Sequence, residues 1–386
     1  MTPHRHVTDT ERRARLAIRH ALAPAFRATS PEAVTRAMTV LHATEPATVY
    51  LSCQARMAAF DIQDLNHSLY AERALIKQLA MRGTLFVFPR DLLPAAWAGP
   101  SARVAATARA RTAKDLENAG LATDGAVWLD QARAEVLTLL AGQPDGRTAQ
   151  DIRAAVPMID VKMAVTPSVA WRVLTHLVLN ADLVRGTNTG SWYTSRPRWT
   201  LMQHWLDDLP DAVSAADGYR EIVRRWLHSF GPGTENDIVW WLGATKGIVR
   251  KALAELGAVP VTLDSGLIGW LSPDDLDEVS DPGPWAALLP VLDPTVMGWQ
   301  ERGFYLGPHR DLLFDQRGNA GTTAWVNGRA VGCWVQDTDG TVLVRLAETI
   351  SPAEQRLLDV EAQRLTAWLA GFRVSSVYSS PAMRTP

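Results

Sequence analysis

Two stretches of this chain carry apolar residues at helical spacing, and each is followed by a signal for a shorter helix. The stretches run from Val127 to Leu140 and from Tyr219 to Phe230, with apolar residues recurring every three or four positions. They are followed by Thr148-Ala-Gln-Asp-Ile and Thr234-Glu-Asn-Asp-Ile. A threonine with an acid three residues later is a capping-box signal. We therefore predict that one short helix begins after Thr148 and another after Thr234.

Each copy continues with a further helix and with two apolar runs separated by a polar turn. The first copy predicts a helix over Val169–Leu177 and a hairpin between Leu183 and Thr194. The second predicts a helix over Ile248–Leu256 and strands at Val259–Leu263 and Ile268–Leu271. Helix, capped helix, helix and hairpin is the order of a winged helix, a variant of the helix-turn-helix. Two copies in one chain favour a protein that binds DNA or RNA.

The N-terminal segment predicts a third module of the same kind. Helices are expected at Glu11–Leu22, after the cap residue Ser30, and at Val49–Met57. A further helix ending near Ala80 and a strand at Leu85–Phe88 complete the pattern. We interpret this segment as an elongated winged helix.

The C-terminal segment has a different pattern. Short apolar runs alternate with turns, of which Asn327-Gly328 and Asp339-Gly340 are typical of hairpins, and Ser351 precedes an amphipathic helix. We predict an α+β fold of three tandem winged-helix modules followed by a small antiparallel β-barrel and a terminal helix. The expected boundaries are 1–110, which includes the candidate catalytic motif, 111–199, 200–281 and 282–386.

Composition is that of an ordinary globular protein. The 386 residues are 47% hydrophobic and 21% charged. No run approaches the roughly 18 apolar residues of a membrane span, and the N-terminus has no hydrophobic signal core. The two cysteines, Cys53 and Cys333, are far apart, which excludes a disulfide framework and a cysteine-built zinc site. We expect a cytoplasmic, nucleoid-associated protein with no membrane partner and no metal or cofactor.

Charge distribution permits a DNA-binding face. The formal net charge is −2, which argues weakly against nucleic acid, but residues 1–110 contain 14 Lys and Arg against 8 Asp and Glu. Arginine also outnumbers lysine strongly, and its planar fork suits phosphate oxygens and base edges. We expect Arg82, Arg185 with Trp192, and the trio Lys246, Arg250 and Lys251 to contact DNA. For each charged residue, a solvated surface side chain is the competing interpretation.

Candidate chemistry is confined to one segment. The sequence contains no phosphate-binding loop, dinucleotide fingerprint, zinc-protease motif or nucleophile elbow. His42-Ala-Thr44-Glu45 instead places an imidazole, a hydroxyl and a carboxylate together at the end of a predicted helix. These groups can hold and deprotonate a water molecule. A capped helix end with a packed histidine is the alternative without chemistry.

Several motifs together resemble the AlkZ-type bacterial winged-helix DNA glycosylases. They are spread over nearly the whole chain: Leu41-His-Ala-Thr-Glu-Pro, Tyr50-Leu-Ser-x-x-Ala-Arg56, Met81-Arg-Gly-Thr-Leu-Phe86, Asp293-Pro-Thr-x-Met-Gly-Trp299 and Leu313-Phe-Asp-x-x-Gly-Asn319. The resemblance implies a C-shaped clamp on double-stranded DNA and cofactor-free hydrolysis of the N-glycosidic bond of alkylated purines. The family's catalytic motif is Gln-Φ-Gln, or Gln-Φ-Asp in a related branch, where Φ is hydrophobic. Here His42 and Thr44 occupy the two glutamine positions.

The residues leave three functional interpretations open. The first, which the resemblance implies, is a monomeric, monofunctional glycosylase for N7-guanine and N3-adenine adducts, with His42, Thr44 and Glu45 as catalytic residues. The second is a non-catalytic DNA-binding protein, a regulator or damage binder that has lost the glutamines. The third is a transcription factor that senses a small molecule.

We further expect Asp293 and Arg302 to form a structural ion pair in the C-terminal segment.

Overall fold

The computed structural model describes residues 3–163 and 168–384, and it is a mixed α+β structure with several small sheets. Its α-helices are α1 (Asp9–Arg19), α2 (Pro31–Ala37), α3 (Pro46–Arg56), α4 (Ile62–Asn66), α5 (Leu93–Ala96), α6 (Ala102–Asn118), α7 (Gly125–Ala141), α8 (Ala149–Ala155), α9 (Val169–Leu179), α10 (Met202–Trp205), α11 (Ala215–Phe230), α12 (Glu235–Leu242), α13 (Lys246–Glu255), α14 (Pro294–Met297), α15 (Gly303–Leu306), α16 (Arg310–Leu313), α17 (Pro352–Leu369) and α18 (Pro381–Arg384). Its strands are β1 (His6–Val7), β2 (Leu41–His42), β3 (Leu75–Leu79), β4 (Leu85–Pro89), β5 (Leu183–Asn188), β6 (Pro197–Leu201), β7 (Gly233–Thr234), β8 (Val259–Leu263), β9 (Ile268–Leu271), β10 (Ala286–Leu289), β11 (Thr323–Val326), β12 (Arg329–Gln336) and β13 (Val342–Leu346).

The chain forms two compact units. One contains Met1–Leu65 and Arg220–Pro386, and the other contains Asn66–Tyr219. Each unit includes one of the two capped-helix repeats found in the sequence.

In the first unit, the second repeat has the predicted order of elements. The capping box at α12 is present: the Asp237 amide donates to Thr234 Oγ1 at 3.1 Å, and the Thr234 amide donates to Asp237 Oδ2 at 2.8 Å. After α13, β8 and β9 form an antiparallel hairpin. The sheet has the order β1-β8-β9-β7, and β1 pairs with β8 in parallel. A short N-terminal strand therefore extends the hairpin sheet, which the sequence pattern did not indicate.

In the second unit, the first repeat is also present. The Thr148 hydroxyl accepts from the Asp151 amide at 3.2 Å, and Asp151 Oδ2 accepts from the Thr148 amide at 3.3 Å. α9 follows, and then β5 and β6 pair antiparallel. Both predicted capping boxes and the hairpin after α13 are confirmed. A hairpin also follows α9, but its second strand is Pro197–Leu201, beyond the predicted end at Thr194.

The predicted helix ending near Ala80 is wrong, because Leu75–Leu79 is strand β3. It pairs antiparallel with β4, from Leu75 opposite Pro89 to Leu79 opposite Leu85. The turn between them places Arg82 at φ 57° and ψ 20°, in the left-handed region that a non-glycine residue seldom occupies. The predicted strand at Leu85–Phe88 is confirmed as β4.

The C-terminal sheet has four antiparallel strands in the order β10-β11-β12-β13, and it is not closed into a barrel. Instead of pairing with each other, the edge strands β10 and β13 both pack against α17. The Ser351 side chain caps α17 within a capping box completed by Glu354. The predicted terminal helix is therefore present, and it packs against both edge strands of the open sheet.

Among the described residues, no helix is long and apolar enough to cross a membrane.

Candidate active site

The three candidate catalytic residues lie in the first unit, where β2 passes into α3. Glu45 is the N-cap residue of α3, with an extended backbone at φ −92° and ψ 119°, and Pro46 is the first helical residue. Proline at this position needs no amide hydrogen and has a backbone angle suited to helix, so the sequence Glu45-Pro46 fixes where α3 begins. No side chain caps the helix at Glu45. The Glu45 carboxylate therefore does not serve as the cap.

The three side chains differ in exposure. Thr44 is exposed, Glu45 is half-buried, and His42 is 9% exposed. The Thr44 amide donates to Nδ1 of His42 at 3.4 Å, a long hydrogen bond. A neutral imidazole that accepts at Nδ1 carries its proton on Nε2. The ring is thus held against the Thr44 backbone and is nearly, but not wholly, covered.

Glu45 faces the C-terminal segment of the chain. Its Oε1 accepts from the Val377 amide at 3.4 Å, and Ser376 also donates to the carboxylate. Burial raises the pKa of Glu45, and these two hydrogen bonds offset part of that rise. The acid is therefore not a solvated turn residue, which was its competing interpretation.

Glu45 lines a cavity of about 430 Å³ within the first unit. The cavity lies between the first turns of α3, the ends of β10 and β12, and the C-terminal segment. Its walls are mainly hydrophobic and are made by Glu45, Ala47, Thr48, Leu51, Pro290, Val291, Thr322, Trp334, Val335, Gln336, Arg373, Val374, Ser375, Ser376 and Met383. Its volume lies in the range of small-molecule sites.

One wall of this cavity is residues 371–380, which we call the C-terminal strap. Both polar atoms of the Gln336 side-chain amide hold the strap: Nε2 donates to the Phe372 carbonyl at 2.7 Å, and Oε1 accepts from the Val374 amide at 2.9 Å. Beyond the strap, Arg345 Nη1 donates to the Met383 carbonyl at 2.9 Å and so anchors α18. The chain is therefore attached both before and after the strap residues that contact Glu45.

A buried ion pair fixes the opposite end of α3. Arg56 and Asp293 are both fully buried and form a bidentate pair, with Nη2 to Oδ1 at 2.7 Å and Nη1 to Oδ2 at 2.9 Å. Ser52 donates to Asp293 Oδ2 at 2.7 Å, and the Thr295 amide donates to Oδ1 at 2.9 Å. Although burial alone would raise it, the pKa of Asp293 is lowered by Arg56 and by these donors.

The predicted pair of Asp293 and Arg302 is therefore wrong. Arg302 Nε donates to the Trp299 carbonyl at 2.6 Å, and its guanidinium stacks on Trp240 and Phe314. The buried pair extends instead to His20, whose Nδ1 is 2.9 Å from Thr295 Oγ1. Burial lowers the pKa of His20 to about 3, so this ring is neutral and belongs to the core.

The candidate DNA contacts of the first unit lie on α13. Lys246, Arg250 and Lys251 are all exposed. Arg250 Nε is 2.7 Å from Glu235 and Lys251 Nζ is 3.7 Å from Glu255, so two of the three cations face a carboxylate. No ion pair to Lys246 is present in the described parts of the chain. Lys246 is therefore the cation of this trio best placed to meet a phosphate.

The candidates of the second unit have unequal positions. Arg82 is exposed at the β3–β4 turn, and Trp192 is half-buried in the β5–β6 turn. The Arg185 guanidinium lies over the rings of Trp171 and Trp199, at 5.1 and 5.3 Å, and burial lowers its pKa to about 10. Arg185 is thus held by aromatic rings instead of extending from the surface.

Sequence reasoning missed two groups of residues. The first is Trp171, which is 53% exposed and lies beside Arg185. Its exposure could have been inferred only from its position on the outer face of α9. Gln336, Arg373 and Ser376 line the cavity with Glu45, but nothing in their sequence context relates them to residue 45. In the described ranges, no cluster of three or more His, Cys, Asp and Glu residues could hold a metal ion.

Comparison with known proteins gives one family and one fold. The family model described as "DNA glycosylase AlkZ-like" matches residues 35–368. The structure is similar to that of the Streptomyces sahachiroi DNA glycosylase AlkZ, with a TM-score of 0.75 and 19% identity over 94% of this chain and 97% of that chain. No curated protein matches the chain in sequence. The family match begins within α2, ends within α17, and includes the segment that carries His42, Thr44 and Glu45.

Proposed function

We propose, starting from the fact that this chain belongs to the AlkZ-like DNA glycosylase family, that it excises alkylated purines from double-stranded DNA. The observation that carries the proposal is the position of the His42–Glu45 segment: it lies inside the family match, beside a cavity, with an exposed hydroxyl and a half-buried carboxylate. The proposed substrates are N7-guanine and N3-adenine adducts. The winged-helix modules would hold the DNA, and the protein would act as a cytoplasmic monomer on the nucleoid.

The chemistry of such a lesion sets the demands on the site. An N7-alkylguanine already carries a positive charge and leaves as a neutral base, so the enzyme need not protonate it. The sugar develops oxocarbenium character, and a water molecule must be positioned at its anomeric carbon. In our proposal Glu45 stabilises the cationic sugar and the Thr44 hydroxyl orients the water. His42 accepts the water's proton at Nδ1, replacing the long hydrogen bond from the Thr44 amide.

DNA contacts are proposed for both units. Lys246 and Arg82, which are exposed, are assigned to phosphates. Arg250 and Lys251 would exchange their carboxylate partners for phosphates, which costs part of the gain. Arg185 and Trp192 are proposed to contact DNA from the β5–β6 hairpin of the second unit.

A second function is favoured by the substitution of the family's glutamines by His42 and Thr44. The protein would then bind DNA or damaged DNA without cleaving the glycosidic bond. The two functions differ in their product, because hydrolysis leaves an abasic site whereas binding leaves the DNA intact.

The proposal is tested with duplex DNA that carries a single 7-methylguanine, together with the same duplex undamaged. We expect the protein to generate alkali-labile abasic sites in the damaged duplex alone, as resolved by gel electrophoresis after alkali treatment. Under single-turnover conditions with excess protein, tight binding without any strand cleavage would overturn the catalytic proposal. That result would support the binding protein instead.

The pH dependence of excision is expected to report the ionisation of Glu45. Burial raises the pKa of this carboxyl, and only its ionised form stabilises a cationic sugar. The rate of excision should therefore fall as the pH decreases through a pKa that lies above the ordinary value of glutamate. The measurement is the single-turnover rate as a function of pH. Protonation of the proposed base His42 would also slow excision at low pH, so the comparison is made in the His42→Ala background. The acidic limb that remains there should vanish when Glu45→Gln is added, and an unchanged limb would contradict the assignment.

A further inference from the structure

We infer that the cavity beside Glu45 receives the damaged base itself, a cationic alkylated purine turned out of the helix. This inference rests on the proposed function and names the site at which the lesion is recognised. Enzymes that act on a base inside a duplex commonly turn it out of the stack into a pocket.

The lining of the cavity suits an aromatic cation. Leu51, Val291 and Met383 supply apolar surface, and the Trp334 indole supplies an electron-rich ring. The Trp334 ring is fixed because its Nε1 donates to the Leu289 carbonyl at 2.8 Å. In our inference an alkylated purine that bears a positive charge interacts more favourably with this indole than an undamaged purine does. The cavity can therefore discriminate by charge as well as by shape.

The carboxylate in the wall adds a second element of charge complementarity. Glu45 is half-buried and has no ion-pair partner within the ranges that the structure describes; it is held only by the Val377 amide and Ser376. An unpaired carboxylate in a largely apolar wall favours a cationic occupant, which compensates the cost of its burial. Glu45 connects the cavity to the candidate catalytic segment, because it lines the cavity and directly follows Thr44 in the chain.

The rim carries a charge of the opposite sign. Arg373 lines the cavity and is exposed, and no carboxylate of the described chain forms an ion pair with it. A nucleotide combines an aromatic base with a phosphate, so a cavity for the base with an arginine at its edge matches both parts. The strap that carries Arg373 is attached through Gln336, which fixes the arginine's backbone relative to the cavity.

The test fills the cavity without disturbing the protein core. Ser375 is an exposed strap residue that lines the cavity, so Ser375→Trp introduces a large ring from the surface side. The matched control is Phe372→Trp, an exposed position on the same strap that does not line the cavity. We measure the single-turnover excision of 7-methylguanine and the ratio of Kd values for undamaged and 7-methylguanine duplexes.

We expect Ser375→Trp to reduce excision at least tenfold and to bring the Kd ratio close to one, with undamaged-duplex binding unchanged. Phe372→Trp should stay within twofold of the wild type in both measurements. Wild-type excision and lesion preference in Ser375→Trp would overturn the cavity assignment and leave the proposed function intact. A wild-type protein that prefers the lesion but never excises it would overturn the glycosylase, while loss of that preference in Ser375→Trp would still support the cavity. A wild-type protein with neither excision nor lesion preference would overturn both.

Discussion

Replacing His42 by alanine is expected to slow the excision of 7-methylguanine by a factor of roughly 10²–10⁴, the usual contribution of a general base. In our proposal the imidazole is the group of the His42–Glu45 segment that accepts the proton of the attacking water. It is 9% exposed and hydrogen-bonded to the Thr44 backbone, so its removal deletes a fixed group at the surface of the site. The measurement is the single-turnover rate with protein in excess over the damaged duplex.

One control variant makes this result specific. His42→Gln restores the residue that the family's catalytic motif has at this position, and its side-chain oxygen can still accept a hydrogen bond from the water. We expect it to retain much more activity than His42→Ala. Because the His42 ring is only 9% exposed, thermal unfolding of both variants is measured, and excision is compared at a temperature at which all three proteins are folded. If His42→Ala excises within threefold of the wild type, His42 is not the base.

Local sequence signals predicted the elements well where each signal determines one structure. The threonine–acid pairs at Thr148 and Thr234 and the serine–acid pair at Ser351 begin helices in the structure as predicted. Capping is a short-range interaction between residues three positions apart, so the sequence contains all of it. The hairpin after α13 is confirmed as well, because its turn is short and its two apolar runs are neighbours in the chain. After α9 the second strand begins at Pro197, beyond the predicted end of the hairpin at Thr194.

Prediction failed where a pattern fitted two structures. Leu75, Ile76, Leu79 and Ala80 lie at spacings that suit one face of a helix, but the same residues suit a strand that is buried on both sides. Periodicity cannot separate these cases for a short apolar run. These residues form a strand because they pair with β4 at residues 85–89, an interaction that their own sequence does not contain.

The prediction that the C-terminal sheet closes into a barrel was wrong for a related reason. The turn signals correctly indicated antiparallel strands, but closure depends on whether β10 and β13 meet. α17 packs against both strands, and no residue within the strands specifies this arrangement. The sequence therefore predicts the strands of a sheet more reliably than it predicts whether the sheet closes.

The candidate site was predicted in part. His42, Thr44 and Glu45 were found because they are neighbours in the chain and because they align with a family motif. The cavity was not, because its walls come from residues 45–51, 290–291, 322–336 and 373–383. Similarly, Arg56 and Asp293 both stand within motifs that carried the resemblance, yet their pairing joins positions 237 residues apart.

Replacing Asp293 by alanine is expected to lower the free energy of unfolding by about 3–5 kcal/mol, because it leaves the fully buried Arg56 guanidinium without its counter-charge. The change also removes the acceptor for Ser52 and for the Thr295 amide. Urea denaturation followed by tryptophan fluorescence measures the loss as a lower midpoint.

The matched control for Asp293→Ala is the double variant Arg56→Met with Asp293→Leu. Exchanging a buried ion pair for apolar residues of similar volume is often tolerated, since both desolvation costs disappear together. We therefore expect the double variant to recover most of the lost stability, although Thr295 and Ser52 would still lack their acceptor. A single variant that loses less than about 1 kcal/mol would show that the pair is not what fixes α3, since breaking a buried pair ordinarily costs several times more. In that case the position of Glu45 at the other end of the helix would have to depend on its contacts with the C-terminal strap, and truncating the chain before the strap would displace it.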